Sequence, residues 1–271
     1  SKIFKNMTGI IIKTPEQIEG IRKASRLTAQ TLDMIGKYIK PGVSTLELDN
    51  IMNTFILSNG GKSACINYLG NNKWANHPSA YKRCTCISLN DVICHGVPSA
   101  DVILKEGDIL NIDVTTIVDG YFGDASRMYT VGQVAEKAQQ LVDDAKFAME
   151  VGISQVFPGN QFGNIGFHIA DFAEKKGYSV VREYGGHGVG VAFHEEPFVY
   201  HKAAKNTGPK MKPGMVFTIE PMINIGKYAS KIDKDQWTVR TKDGSLSAQW
   251  EHTILVTDDG YEILTKSLLE E

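Results

Sequence analysis

Two aspartates stand in a segment whose pattern puts them on one face. Residues 109–130 read Ile-Leu-Asn-Ile-Asp-Val-Thr-Thr-Ile-Val-Asp-Gly-Tyr-Phe-Gly-Asp-Ala-Ser-Arg-Met-Tyr-Thr. Alternation on both sides of Asp119-Gly120 predicts a hairpin with a two-residue turn. Pairing Val118 with Tyr121 then sets Asp124 opposite Thr115 and Asp113 opposite Ser126. Side chains alternate faces, so Asp113 and Asp124 become diagonal neighbours, while Leu110, Ile112 and Val114 point into a core. Two converging carboxylates repel unless a proton or a cation lies between them. A solvated polar face is the plain alternative. Against it, the neighbours are Asn111, Thr115 and Ser126, with no lysine beside them. A face of oxygens suits a hard or borderline divalent cation.

Further ligand types lie downstream. His187 sits in Gly185-Gly186-His187-Gly188-Val189-Gly190, where glycines allow a close approach of backbone and metal. The spacing and context are not those of a dinucleotide loop. Glu220 sits in Val216-Phe217-Thr218-Ile219-Glu220-Pro221, a strand running into a turn, and Glu251 lies in the alternating stretch 247–254. Each glutamate alone would read as a surface or ion-pair residue. Two Asp, two Glu and one His on strands together fit two metal ions bridged by carboxylates and water. His95, at a strand end before Gly96-Val97-Pro98, and His194, opening His-Glu-Glu-Pro, look placed for chemistry rather than ligation. His77, His168 and His201 read as ordinary surface or core histidines, and His252 as structural because it alternates away from Glu251.

The elements that must position these residues occur twice. Thr14 and Gln17 form a capping box with Pro15 in the first turn; Ile18, Ile21, Thr28, Leu32 and Ile35 follow at helical spacing until Pro41-Gly42. Ser44 and Glu47 start a second helix carrying Leu48, Ile51, Met52 and Phe55 up to Gly60-Gly61. The pattern returns in a helix from about Ala135 to Phe157, then Pro158-Gly159, then a helix with Ile165, Ile169 and Phe172 stopping at Gly177. Pro41 to Pro158, Gly42 to Gly159 and Gly60 to Gly177 are each 117 residues apart. That period is too long for a solenoid. It predicts an α+β fold of two duplicated halves, about 14–131 and 134–256, around a pseudo-twofold axis with a site between their sheets. Residues 1–12 read as an N-terminal segment and 13–271 as a single catalytic domain; Met7 stands where an initiator could.

Composition bounds the rest. The 271 residues carry 29 basic and 31 acidic side chains, a net charge of −2, so there is no basic field for nucleic acid or an anionic membrane. No apolar run is long enough to span a bilayer, and the N-terminus lacks a secretory h-region, which predicts a soluble cytoplasmic protein. Cys65, Cys84, Cys86 and Cys94 lie in one stretch without the spacing of a zinc knuckle or a disulfide framework. They read as reduced thiols in or near a pocket.

At this point the residues resemble a known family. Asn-Asp-Val-Ile-Cys-His-Gly-Val-Pro at 90–98, Asn-Ile-Asp-Val at 111–114, Gly-Asp-Ala-Ser at 123–126, Gly-His-Gly-Val-Gly at 186–190, Phe-His-Glu-Glu-Pro at 193–197, Thr-Ile-Glu-Pro at 218–221 and Ser-Ala-Gln-Trp-Glu-His-Thr at 247–253 are similar to the motifs of type I methionine aminopeptidases, M24 metallopeptidases of pita-bread fold. The likeness runs from about Lys13 to Leu264 with every motif in order. It implies hydrolysis of an N-terminal methionine from nascent proteins with a small second residue, by dinuclear-metal-activated water. It implies that Asp113, Asp124, His187, Glu220 and Glu251 ligate two divalent ions (cobalt, manganese, iron or zinc), with Asp124 and Glu251 shared. Glu220 would move the proton, His194 would bond the substrate carbonyl and His95 the scissile or leaving amide region. Cys65, Tyr81, Cys86, Phe193 and Trp237 match the methionine pocket, with Tyr68 the alternative wall to Tyr81. Asn90, Val92 and Ser247 match a monovalent-cation site. Residues 66–85 form a longer loop than in shorter bacterial members, expected to border the pocket and tune access. The resemblance further implies a monomer and a ribosome contact that no single patch identifies. Aminopeptidase P and prolidase are the rivals within the fold, set apart by an additional N-terminal domain. A pseudoenzyme kept as a binding module would have lost ligands.

Overall fold

Thr14 starts the first helix as its side chain dictates. In the computed structural model, which describes residues 9–70 and 80–270, the Gln17 amide donates to Thr14 Oγ1 (3.2 Å) and the Thr14 amide to Gln17 Oε1 (2.9 Å). Helix α1 (Pro15–Ile35) follows and ends in a 3-10 turn; α2 (Thr45–Ser58) is capped by Ser44 Oγ. The second half has α3 (Glu136–Ile153) and α4 (Gly163–Lys175). α3 stops short of the expected Phe157. The residue before Pro158 is pushed away from helical backbone, and the chain tightens into turns from Ser154.

Among the described residues the strands form four antiparallel sheets. In the first half β4 (Ile109–Val118) and β5 (Tyr121–Thr130) pair along their full length, with β1 (Lys62–Ser63) and β2 (Cys86–Leu89) on the other side of β4. The register is the expected one: Val118 faces Tyr121, Thr115 faces Asp124 and Asp113 faces Ser126. β3 (Val92–Cys94) pairs with β12 (Val239–Thr241), itself flanked by β11 (Ser230–Ile232). In the second half β7 (Gly186–Gly188), β8 (Glu195–Val199), β9 (Val216–Ile219), β14 (His252–Val256) and β15 (Tyr261–Ile263) make one sheet. β6 (Ser179–Val180), β10 (Met222–Asn224) and β13 (Ser247–Gln249) make another.

The spacing seen in the sequence recurs in the backbone. Gly42 donates to Leu104 and Leu104 back to Val43, each at 2.8 Å; Gly159 donates to Met211 (2.9 Å) and Met211 back to Asn160 (2.8 Å). Gly42 and Gly159 have φ of 93° and 90° with open space around the missing Cβ, so backbone conformation is what demands glycine there. Leu48 and Ile165, like Met52 and Ile169, are wholly buried. Each half thus packs its helices onto its own strands, around Leu32, Leu48, Met52, Leu110 and Ile112 in the first and Leu141, Ile165, Ile169, Phe217 and Ile254 in the second.

The halves meet at the β3–β12 pairing and at a short bridge beside the hairpin. Ser126 donates to the Glu251 carbonyl (3.2 Å) and Glu251 donates to that of Ser126 (3.0 Å). Among the described residues no helix is long and apolar enough to cross a membrane.

Candidate active site

α1 seats the first aspartate. Its backbone lies so close to β5 that a Cβ on Gly123 would meet the Ser25 backbone at 2.5 Å. Buried hydroxyls pin this crossing: Thr28 Oγ1 donates to the Gly123 carbonyl (2.8 Å) and Thr116 Oγ1 to the Ala24 carbonyl (2.9 Å). Asp124 is therefore fixed on both sides, with Thr115 Oγ1 donating to its Oδ1 (2.8 Å) and Thr253 Oγ1 to its carbonyl (2.6 Å). Asp113 stands beside it on the same face. Burial and the Asp124 charge push the Asp113 carboxyl well above the usual range.

From the second half, His187, Glu220 and Glu251 converge on Asp124, and one ligand atom from each of the four lies within 4.8 Å of all the others. His187 Nε2 is 3.3 Å from Asp124 Oδ2 and 3.8 Å from Glu220 Oε2. Its Nδ1 faces the Gly188 carbonyl at 2.9 Å. That contact fixes the tautomer with a proton on Nδ1 and leaves Nε2 for an ion. Without an ion, burial works against the imidazolium, but Asp124 and Glu220 outweigh it and raise His187 to about 9. Burial and the surrounding carboxylates push Glu251 well above its ordinary range, and burial raises Glu220. Glu220 Oε2 and both carboxylate oxygens of Glu251 are buried without a hydrogen-bond partner among the described residues. Unpaired buried oxygens around one point are a donor set for a divalent cation.

The other expected residues frame this centre. The His194 ring is 4.3 Å from that of His187 and stacks on Phe193 (4.1 Å, 9°). His95, at φ 58°, stands apart from the four, edge-on to Tyr184, with burial lowering it to about 4. Tyr81 is buried with its hydroxyl donating to the Thr85 carbonyl, and its ring meets Trp237 at 5.2 Å. Tyr68 touches the rings of Phe193 (5.1 Å), His194 (5.5 Å) and Trp237 (6.5 Å). Both tyrosines therefore wall the same aromatic cluster. The Cys65 thiol is pushed well up by its contact with Cys86 and by burial, with Asp113 nearby. At the remaining triplet, the Ser247 amide donates to the Asn90 carbonyl (3.0 Å), Val92 faces Arg240, and Ser247 Oγ is buried without a partner among the described residues.

Several residues that position the site were not readable as such. Lys13 Nζ donates to Glu195 Oε1 (2.5 Å) in a buried ion pair, and Glu195 Oε2 accepts the amides of Val191 (2.7 Å) and Ala192 (2.9 Å). This clamp shapes the loop that presents Phe193 and His194. Tyr68 Oη lies 3.2 Å from His194 Nδ1. His201 read as an ordinary histidine, yet its Nε2 accepts the Glu220 amide (3.1 Å). No local motif marks any of these contacts. His252 is held by Thr265 Oγ1 (2.8 Å), away from the centre as its alternation predicts. His77 and residues 71–79 of the long loop lie outside the described residues.

A buried acid-rich centre with one oriented imidazole, built between two related halves, is the architecture of a metallohydrolase. Residues 19–258 match the model of metallopeptidase family M24. The chain is 50% identical over 257 residues to the methionine aminopeptidase of Escherichia coli K12, with 94% of each chain covered. It resembles the crystal structure of methionine aminopeptidase from Rickettsia prowazekii with TM-score 0.90 and 47% identity, covering 95% of this chain and 100% of that one. The prolidase of Pyrococcus furiosus is more distant, with TM-score 0.75 and 24% identity over 94% of this chain and 65% of the prolidase; that likeness is one of fold. The chain belongs to metallopeptidase family M24 and has its pita-bread fold.

Proposed function

We propose that this protein is a methionine aminopeptidase that removes the N-terminal methionine from nascent polypeptides whose second residue is small. The observation that carries the reading is the convergence of Asp124, His187, Glu220 and Glu251 within 4.8 Å, with three of their carboxylate oxygens left without a partner among the described residues. These four and Asp113 would hold two divalent ions. When bound, such ions supply a water acidic enough to lose its proton near neutral pH and polarise the scissile carbonyl.

The chain's own residues do the rest. Glu220 is close enough to the centre to take the proton of the attacking water and return it to the leaving amine. His194, with Nδ1 turned to Tyr68, presents Nε2 to the substrate carbonyl. His95 meets the leaving amide region. Cys65, Tyr68, Tyr81, Cys86, Phe193 and Trp237 form an apolar, polarisable wall suited to a thioether side chain. Asn90, Val92 and Ser247 would hold a monovalent cation, for which Ser247 Oγ and the facing Asn224 Oδ1, both without a partner among the described residues, are fitting donors. We take 13–271 as one catalytic unit acting as a cytoplasmic monomer on chains emerging from the ribosome, with residues 66–85 bordering the pocket and tuning access.

The test is hydrolysis of Met-Ala-Ser, Lys-Ala-Ser and Ala-Pro-Ala by metal-stripped protein before and after addition of Mn²⁺ or Co²⁺. Metal-dependent release of methionine from the first peptide alone is expected. Cleavage of the proline peptide instead would keep the centre and replace the substrate class by that of prolidases.

A further inference from the structure

Glu220 lies in a gap. β9 ends at Ile219 and β10 begins at Met222, while β14 begins at His252 and β13 ends at Gln249. Ile219 faces His252 and Met222 faces Gln249, so the register carries through with Glu220 opposite Glu251 and Pro221 opposite Trp250. Glu220 belongs to neither strand. A buried backbone amide and carbonyl outside a ladder still require partners, and here two side chains supply them. The Glu220 amide donates to His201 Nε2 (3.1 Å), and Gln249 Nε2 donates to the Glu220 carbonyl (3.0 Å).

Both gripping residues are nearly inaccessible, at 2% for His201 and 1% for Gln249. Both also leave their other polar atom without a partner among the described residues: His201 Nδ1 and Gln249 Oε1. An imidazole that accepts at Nε2 carries its proton on Nδ1 when neutral, so a buried donor is left over. An apolar side chain would fill either space without an orphaned atom. Packing alone does not account for two such residues meeting at one peptide.

We infer that His201 and Gln249 are positioning residues for Glu220: they replace the missing ladder bonds and fix where its carboxylate enters the centre. The inference rests on the proposed roles of Glu220 as ligand and proton carrier. Partners that orient a ligand in this way are typically worth about 10- to 100-fold in metal affinity or activity.

The experiment uses Gln249→Met, which keeps the volume but cannot donate, with His201→Leu, which cannot accept, and His201→Gln, which places an acceptor near Nε2. Each metal-stripped protein is checked by near-ultraviolet circular dichroism and titrated with Co²⁺ alone, followed by visible absorption. After reloading, kcat and KM are measured on Met-Ala-Ser. Expected are a loss of about 10- to 100-fold in Co²⁺ affinity and in kcat for Gln249→Met and His201→Leu, with KM little changed. His201→Gln should retain wild-type affinity and an unaltered Co²⁺ spectrum. If His201→Leu does not fold, Gln249→Met and His201→Gln carry the comparison. Folded variants with wild-type affinity and kcat would overturn the inference, as would an equal loss in His201→Gln, which marks a packing role. Wild-type protein that binds Co²⁺ but cleaves no peptide would defeat the functional reading, while the affinities still judge the positioning. Wild-type protein that takes up no Co²⁺ would overturn both.

Discussion

Asp113 and Glu220 occupy related places in the two halves, 107 residues apart like Gly107 and Gly214, whose amides donate to Val131 and Val256. Yet their backbones are held differently. Asp113 lies inside a ten-residue strand, between Cys86 of β2 and Ser126 of β5. Glu220 sits between two short strands and is gripped by the side chains of His201 and Gln249. An unbroken ladder fixes a short side chain through the pleat itself. An interrupted one frees the backbone to turn toward the centre, but its anchoring then depends on residues distant in sequence. The first half acts as a ruler and the second as an arm held by side chains.

The strongest way to break that contrast is to neutralise the two carboxylates separately. Asp113→Asn and Glu220→Gln should each weaken metal loading, and Glu220→Gln should lower kcat by about a further 10²-fold, because it also removes the proposed proton carrier. Steady-state kinetics on Met-Ala-Ser at saturating Mn²⁺ checks this. Equal losses would mean the arm holds metal and nothing more. His194→Ala, by contrast, should leave metal content unchanged and lower kcat by about 10-fold or more. Unchanged turnover would remove His194 from the substrate carbonyl.

The contrast also explains what the sequence could tell. The register of Asp113 and Asp124 is readable to the residue from Asp119-Gly120 and a two-residue period, because the hairpin that sets it is local. The repeat was readable from Pro-Gly pairs and helical spacing for the same reason. The gap at Glu220 was not. Val216–Pro221 reads as a strand entering a turn, and nothing nearby announces that His201, nineteen residues away, takes its amide. Lys13 and Glu195 are hidden similarly, since a buried ion pair across 182 residues leaves no local pattern. The proposed ligand residues rest on family motifs as much as on chemistry.

Acid offers a smaller, graded test. His201 and His252 belong to the second half, and burial above all lowers each to about 3. Unfolded, each takes up a proton near its ordinary value of 6.5. Between these values the unfolded chain binds more protons, so stability falls as pH falls from about 6.5 toward 3, by up to about 1.4 kcal/mol per pH unit for each histidine. Asp113 and Glu251 act in the opposite sense in metal-free protein, since their raised carboxyls gain stability on acidification. The difference between wild type and His252→Gln isolates one histidine. Denaturant midpoints in EDTA at pH 7.0, 6.0 and 5.0 should show a shallower fall for His252→Gln, and parallel curves would mean that the buried imidazole is protonated when folded.

The finest test asks whether the halves are equivalent away from the chemistry. Gly42 and Gly159 turn the chain between paired helices at φ of 93° and 90°, with nothing within 4 Å of the position a Cβ would take. Gly42→Ala and Gly159→Ala therefore meet no clash, only the cost of a left-handed alanine, about 1 kcal/mol each. Urea denaturation of the single and double variants measures it. Equal and additive losses would show that the repeat preserves its helical frame to within the cost of one backbone conformation, and that the halves diverge where strands meet the centre. A much larger loss at Gly159 would instead place part of the second half's adjustment in its frame, with the arm that carries Glu220 beginning before β9.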